Sequence, residues 1–516
     1  MGGRPLFILS DDSERTTGQD AQSSNITAGK AVAQSVRTTL GPRGMDKMLV
    51  SGAGDVVVTN DGATILDEMD IEHPAAQMIV EVAQTQEDEV GDGTTTSAIL
   101  AGQLLTEAEE LLQQDVHAST IVEGYHEAAR IAKETIDEHV VDAEVDEELL
   151  LDVAASSMTG KGTAGVTAEH LAQTVVDAVL SVDGDDEDAV SIETHVGASS
   201  VDTELVSGVI LDAAPAHDSM PRSIEDATVA VLDVGLEVRT GEFDVEYSVE
   251  SVEELTRAMD SEAEELRGYA ELFDEAGVDA IVTTGDIDDR VLEHLTNAGI
   301  VAFEGVDDDD ARRIARASGA RWIGTVDEFD DDDLGVVESI DAQLIGDDEL
   351  TFFEGGEAAE SVTIFVRGGT DNVVHELERV VNDSLDVVRT TRSTGDVVPG
   401  AGSVEIAISS AIREAAAGIT GRQQLAVEAF ADAVDSIPRT IAENAGEDPI
   451  DALVDLRAAH EESGRAGIVV DGGDVIYDDP VDHGVLDPAA VKHEAIDSAT
   501  EASTMIVRID DVIAAS

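Results

Sequence analysis

The chain has 516 residues, enough for about three or four domains, and 42% of them are hydrophobic, as in a globular protein. Acidic residues number 113 against 29 basic ones, a formal charge of −84, which excludes a general nucleic-acid or anionic-membrane binder. There is no cysteine, so disulfides and thiolate metal sites are excluded, and no apolar run approaches the ~18 residues of a membrane span.

The N-terminus, "MGGRPLFILSDDSERTTGQD", lacks the long apolar segment of a signal peptide, and a cytoplasmic protein is expected. "NITAGKAVAQSVRTTLG" predicts a helix with Ile26, Ala28, Ala31, Val32, Ser35, Val36 and Leu40 on one face. "TSAILAGQLLTEAEELLQQ" does the same with Ile99, Leu100, Leu104, Ala108, Leu111 and Leu112, and "YHEAARIAKETIDEHV" continues the pattern. The middle changes character. "TVAVLDVG" (228–235), "VDAIVTTG" (278–285), "GIVAFEGV" (299–306) and "RWIGTV" (321–326) read as short strands, the last three separated by helical stretches. That alternation predicts an α/β domain with parallel pairing. The long, largely helical segment between the first two strands exceeds a simple crossover and reads as an insertion. Toward the end, "GRQQLAVEAFADAVDSIPRTIAENAG" predicts an amphipathic helix interrupted at Pro438 and stopped at "ENAG".

Several short motifs carry two readings each. In "EVGDGTTTSAILAGQLL" (89–105), Gly91 and Gly93 permit a tight turn and a Thr can cap the next helix. The same residues form an anion site at a helix start, and Asp92 then needs a cation between itself and a phosphate. "GDVVVTNDGATIL" (54–66) reads, alone, as a type I′ hairpin turn at Asn60-Asp61-Gly62. Asp383, in "VNDSLDVVRT", reads alone as one acid on a solvated helix face. "VVPGAGSVE" (397–405) is a glycine loop entering a helix, compatible with phosphate but also an ordinary turn. "HGVLDPAAVK" sets Asp487 before Pro488 as a helix cap, and "MTGKGTAG" sets Lys161 in a surface loop.

Taken in order and spacing, "LGPRGMDKMLV", "VVVTNDGATIL", "EHPAAQMIVEVAQTQEDEVGDGTTT", "GRQQLAVEAFADA", "IPRTIAENAG" and "RIDDVIAA" closely resemble a group II chaperonin subunit, the thermosome type of archaea. The resemblance runs from about Arg15 to Ala515. It implies a multidomain α and α/β fold in three domains. These are a mainly helical equatorial ATPase domain (1–140 and 400–516), a small α/β intermediate hinge (141–211 and 363–399) and an α/β apical domain (212–362). The insertion, about 236–275, would be a helical protrusion serving as a built-in lid. The implied activity is an Mg²⁺-dependent ATPase that encapsulates unfolded or partly folded proteins in a double ring, built alone or with sister subunits. ATP, Mg²⁺ and K⁺ would be the cofactors, with no nucleic acid, membrane or separate co-chaperonin as partner.

The resemblance also implies roles for single residues. Asp92 would hold Mg²⁺, while Gly93, Thr94, Thr95 and Thr96 wrap the phosphates. Leu40, Gly41 and Pro42 would line the nucleotide, with Gly400 and Gly402 against ribose and base and Asp487 on the ribose. Asp61 would lie beside the γ-phosphate and attacking water, Asp383 would orient that water, and Lys161 would sense the γ-phosphate. Such chemistry needs positioning and charge neutralisation more than covalent help. The loop reads Gly-Ala-Gly where many relatives have three glycines, and apical Leu292, Leu295 and Ile314 are expected in the core.

Two rival readings fail on residues. A haloacid dehalogenase-like "DGT" needs its aspartate at the end of an apolar strand, but "QEDEVG" precedes Asp92. A scaffold without hydrolysis requires loss of Asp61, Asp92 or Asp383, and all are present. Acids spread over the whole length point to a high-salt cytoplasm, because molar salt shortens the Debye length to about 3 Å and removes most self-repulsion.

Overall fold

The computed structural model describes residues 14–52, 54, 56–162, 165–182, 189–238, 252–346, 348–356 and 361–514. The chain divides into two units, Met1–Val176 with His375–Ser516, and Asp177–Val374. The architecture is multidomain, α and α/β, as expected.

In the first unit one hydrophobic core runs from Ile26 to Ile136 and from Val398 to Val507, so both ends of the chain fold together. The helix Gln19–Val36 buries Ile26, Val32 and Val36 as its periodicity predicts. Its inner face also takes Gly29 and Ala33, while Ala31 is exposed. The cause is a close approach to the helix Thr94–Gln113. A Cβ on Gly102 would stand 2.2 Å from that of Ala33, so only a residue without a side chain fits.

The C-terminal amphipathic pattern is interrupted as expected, but at Asp435 rather than at Pro438, giving two helices, Gln423–Val434 and Ser436–Ala445. A proline ring clashes with the carbonyl four residues before it. Breaking the helix at Asp435 puts Pro438 in a first turn, where a missing N–H costs nothing. Gly446 ends the second helix at φ 93°, as "ENAG" predicts. Asp435 is fully buried and accepts from both Arg413 and Arg457. A smaller core of Leu149, Val153, Val387, Val397 and Leu486 lies beside the antiparallel pair Val397–Pro399 and Leu486–Pro488.

In the second unit Ser223–Leu232, Ala280–Thr283 and Val301–Phe303 pair in parallel, and Trp322–Ile323 pairs in parallel with the first. The helices Asp289–Ala298 and Asp308–Ser318 connect them, and Leu292, Leu295 and Ile314 are core residues. The sheet then continues antiparallel through Gly335–Ile345, Asp348–Glu354 and Gly208–Leu211. A separate sheet sets Val362–Gly368 between Val190–Val196 and Glu204–Val206. Of the insertion, residues 239–251 lie outside the described set, and Val252–Ala276 is a helix. Among the described residues no helix is long and apolar enough to cross a membrane.

Candidate functional site

The chemistry gathers in the first unit, around a cleft of about 530 Å³. Its floor is the turn between two helices. Pro74–Val90 ends on Gly91 at φ 67°, Asp92 follows, and Gly93 at φ 83° precedes Thr94–Gln113. No threonine caps the helix; Gly93 takes that position without a side-chain bond. The first N–H groups of a helix have no partner within it, so the Thr94–Thr96 turn faces the cleft with groups that suit an anion.

Asn60-Asp61-Gly62 is not a hairpin turn. The strand Val56–Thr59 runs into the helix Gly62–Asp67, and Asp61 is its N-cap. Asp61 Oδ2 accepts from the Thr64 N–H at 2.6 Å, and Oδ1 accepts from the Thr94 hydroxyl at 3.1 Å. The cap thereby joins this carboxylate to the start of the helix Thr94–Gln113. Gly62 is required there, because a Cβ would lie 2.6 Å from Thr95 Oγ1.

Lys161 is not on a loose surface loop, and Asp383 is not on a solvated face. Lys161 donates to Asp383 Oδ2 and stands 4.0 Å from Asp92 Oδ1. The side chains of Lys161 and Asp383 are only 15% and 7% exposed. The lysine loop is held by Asn60, which donates to the Gly160 carbonyl, and it packs on Gly41.

At the other end, Asp487 is no helix cap. It lies in the strand Leu486–Pro488, Pro488 occupies the cap position, and Lys492 bonds Asp487 Oδ2 at 2.8 Å and Glu405 Oε1 at 2.9 Å. Leu40, Gly41, Pro42 and Gly402 also line the cleft. Gly400 stands behind Asp487 rather than in the lining; a Cβ there would meet Asp487 Oδ2 at 3.1 Å. Asp383 reaches the cleft through Lys161. Ala401 adopts φ 54°, a left-handed conformation without the glycine that relieves it.

The cleft crowds buried carboxyl groups around two lysines. Burial pushes Asp383 up to about 7, with Lys161 opposing and Asp61 adding. Burial, with Asp383 and Asp61 adding, pushes Glu87 up to about 9. Asp92 is raised by burial against the pull of Lys161. Burial works against the charge on Lys161, but Asp383, Asp92 and Asp61 outweigh it and hold its pKa above the ordinary lysine value. Asp61, Glu87, Asp92 and Asp383 thus gather around Lys161, with Lys492 also acting on Asp92. A cation would favour the ionised form of these carboxyl groups, yet among the described residues no three acidic or histidine side chains converge as a metal cage. That donor set suits Mg²⁺, which is commonly held by one or two carboxylates together with substrate phosphates.

Gln86, Glu87, Glu405 and Lys492 were not singled out in the sequence. For Lys492 a signal existed. Only five lysines occur, and the two in this cleft are 15% and 12% exposed, against 34% for Lys30 and 38% for Lys133.

Residues 32–516 match the model of the TCP-1/cpn60 chaperonin family. The chain is 60% identical over 517 residues to thermosome subunit 3 of Haloferax volcanii, covering 99% of each. It is 51% identical over 520 residues to thermosome subunit alpha of Halobacterium salinarum, covering 100% of this chain and 92% of that protein. To the thermosome subunit of Methanopyrus kandleri it is 47% identical over 522 residues, covering 99% and 95%. A family match over residues 32–516 and identities of 47–60% to thermosome subunits along nearly the whole chain show that it belongs to the TCP-1/cpn60 chaperonin family.

Proposed function

We propose that this chain is a subunit of a group II, double-ring chaperonin that hydrolyses ATP and encapsulates unfolded or partly folded proteins in a halophilic cytoplasm. The observation that carries the ATPase reading is the meeting of a helix N-terminus with Asp61, Asp92 and Lys161 in one cleft, with Asp383 bonded to that lysine from behind. In this account Gly93 and Thr94–Thr96 bind the phosphates. Asp92 holds Mg²⁺, which supplies charge neutralisation at the phosphates. Asp61, fixed by its two hydrogen bonds, stands ready to hold the attacking water, and Asp383 orients it once Lys161 turns toward phosphate. Leu40, Gly41, Pro42 and Gly402 enclose sugar and base, with Asp487 on the ribose and Gly400 giving Asp487 room from behind. K⁺ is the matching monovalent ion.

The equatorial, intermediate and apical divisions at 1–140 with 400–516, 141–211 with 363–399, and 212–362 complete the proposal, with 236–275 as the lid. Matches to several distinct thermosome subunits support assembly with sister subunits. The charge of −84 supports the exclusion of nucleic acid and membrane as partners. Electron microscopy and sedimentation with and without ATP test the whole reading, at about 3 M and 0.1 M KCl, where screening differs most. A double ring that closes with ATP in high salt and falls apart in dilute buffer is expected. A monomer in high salt, or a particle indifferent to both salt and ATP, would overturn it.

A further inference from the structure

The cleft is built from chain segments that are remote in sequence, and one side-chain amide joins two of them. Gln86 is fully buried just before the last turn of Pro74–Val90. Its Nε2 donates to the Asp92 carbonyl at 2.8 Å and to the Val491 carbonyl, 405 residues away, at 3.1 Å. Both hydrogens of the amide are thereby used. Its Oε1 is buried without a partner. Leaving an acceptor unmet costs free energy, and turning the amide over would set Oε1 against two carbonyls, which is worse. The bridge is therefore specific for a neutral donor of this length.

Each carbonyl belongs to a different wall. Asp92 carries the carboxylate of the phosphate turn, and the Cβ space of Gly93 is filled by Val491 and Gln86 Nε2, at 2.8 and 3.0 Å. Val491 precedes Lys492, which binds Asp487 and Glu405. A shift of the first wall against the second must break one of the two bonds from Nε2.

We propose that Gln86 is a positioning residue of this site, whose amide holds the Asp92–Gly93 turn and the Lys492–Asp487 pair in one register for a nucleotide spanning both. It rests on the nucleotide reading above. Gln86 makes no bond to Lys161, Asp383 or Asp61, so its loss should weaken binding while sparing the chemical step.

Gln86→Met keeps the length and removes both donors. In the assembled protein in molar KCl, KM for Mg·ATP should rise about 10-fold, the scale of one or two lost hydrogen bonds. kcat should stay within about threefold of the parent. Hydrogen–deuterium exchange of the nucleotide-free protein should show peptides over 91–96 and 489–493 losing protection together. Gln86→Glu keeps the shape but, held neutral by burial, has one donor for two carbonyls, so it cannot bridge them; it should show the same paired loss, and it stands in if the Met variant does not assemble. An unchanged KM, a fall in kcat alone, or loss of protection in only one segment would overturn the proposal. Failure of the parent protein to bind nucleotide would instead remove the nucleotide reading, and the exchange arm would still test the bridge.

Discussion

Lys161 donates to Asp383, 222 residues along the chain, and its ammonium also stands 4.0 Å from Asp92. One cation thus restrains carboxylates that belong to different helices and turns. Removing one partner of a buried pair costs about 3–5 kcal/mol when the other stays charged. Asp383, already pushed up to about 7, can take a proton and soften that cost. Lys161→Met should therefore lower the unfolding midpoint of the nucleotide-free protein, and Mg²⁺ alone should restore part of it. Turnover should drop by about 10²-fold, the scale of a lost charged group at a reacting centre. Calorimetry in molar KCl checks the first outcome, and an unchanged midpoint would show that the pair carries no stability.

Asp435 marks the break that Pro438 forces, and its buried carboxylate serves Arg413 and Arg457 together. Asp435→Ala would leave both guanidinium groups without it, but Arg413 keeps Asp432 and both are about one-third exposed, so a loss of about 1.5–3 kcal/mol is expected. Chemical denaturation in molar KCl measures this. A loss below about 1 kcal/mol, the range of surface pairs, would mean that solvent replaces the carboxylate.

Ala401 stands at φ 54° between Gly400 and Gly402. A Cβ in the left-handed region costs about 1–2 kcal/mol. Ala401→Gly gains that relief but frees the unfolded chain, so a net gain of about 0.5–1 kcal/mol is expected. A raised melting midpoint checks it, and a lowered one would show that the Ala401 methyl packs better than it strains.

His460 accepts from the Ala466 N–H at Nδ1, 3.3 Å away. Burial, with His139 nearby, lowers its pKa from the ordinary 6.5. The folded state therefore favours the neutral ring. Its contribution is complete above pH 6.5 and declines as pH falls through the lower folded value. Against His460→Gln, which does not titrate, the stability difference should be flat from about pH 7 to 8 and shrink toward about pH 5. A difference that is level throughout would contradict the shift.

Much of this was legible in the sequence. The parallel strands and their helices announce themselves by short β-branched runs between amphipathic segments. Gly91 and Gly93 do so by their spacing, and "ENAG" by its glycine. Other parts were not. Gly335–Ile345 and Asp348–Glu354 carry acids on partly exposed faces, so their alternation is weak even though the two pair along their length. Asn60-Asp61-Gly62 fits a hairpin until Thr94 is brought beside it, and Asp487 fits a helix cap until Lys492 claims it. Lys161 and Asp383 acquire meaning only through each other. Gln86 left no trace, because a buried glutamine has no periodic signature and its partners are backbone carbonyls.

The most direct test of an ATP-driven mechanism separates Asp92 from Asp383, by equilibrium Mg·ATP binding and single-turnover hydrolysis in molar KCl. Asp92 sits in the phosphate turn, so Asp92→Ala should lose binding and hydrolysis together. Asp383 touches the cleft only through Lys161, so Asp383→Ala should bind Mg·ATP nearly as the parent does. Its hydrolysis should fall by about 10²-fold or more, the loss of a group that positions water. Equal loss of binding in both variants would place Asp383 in the ground-state site. Near-normal turnover of Asp383→Ala would remove it from the mechanism and contradict the account.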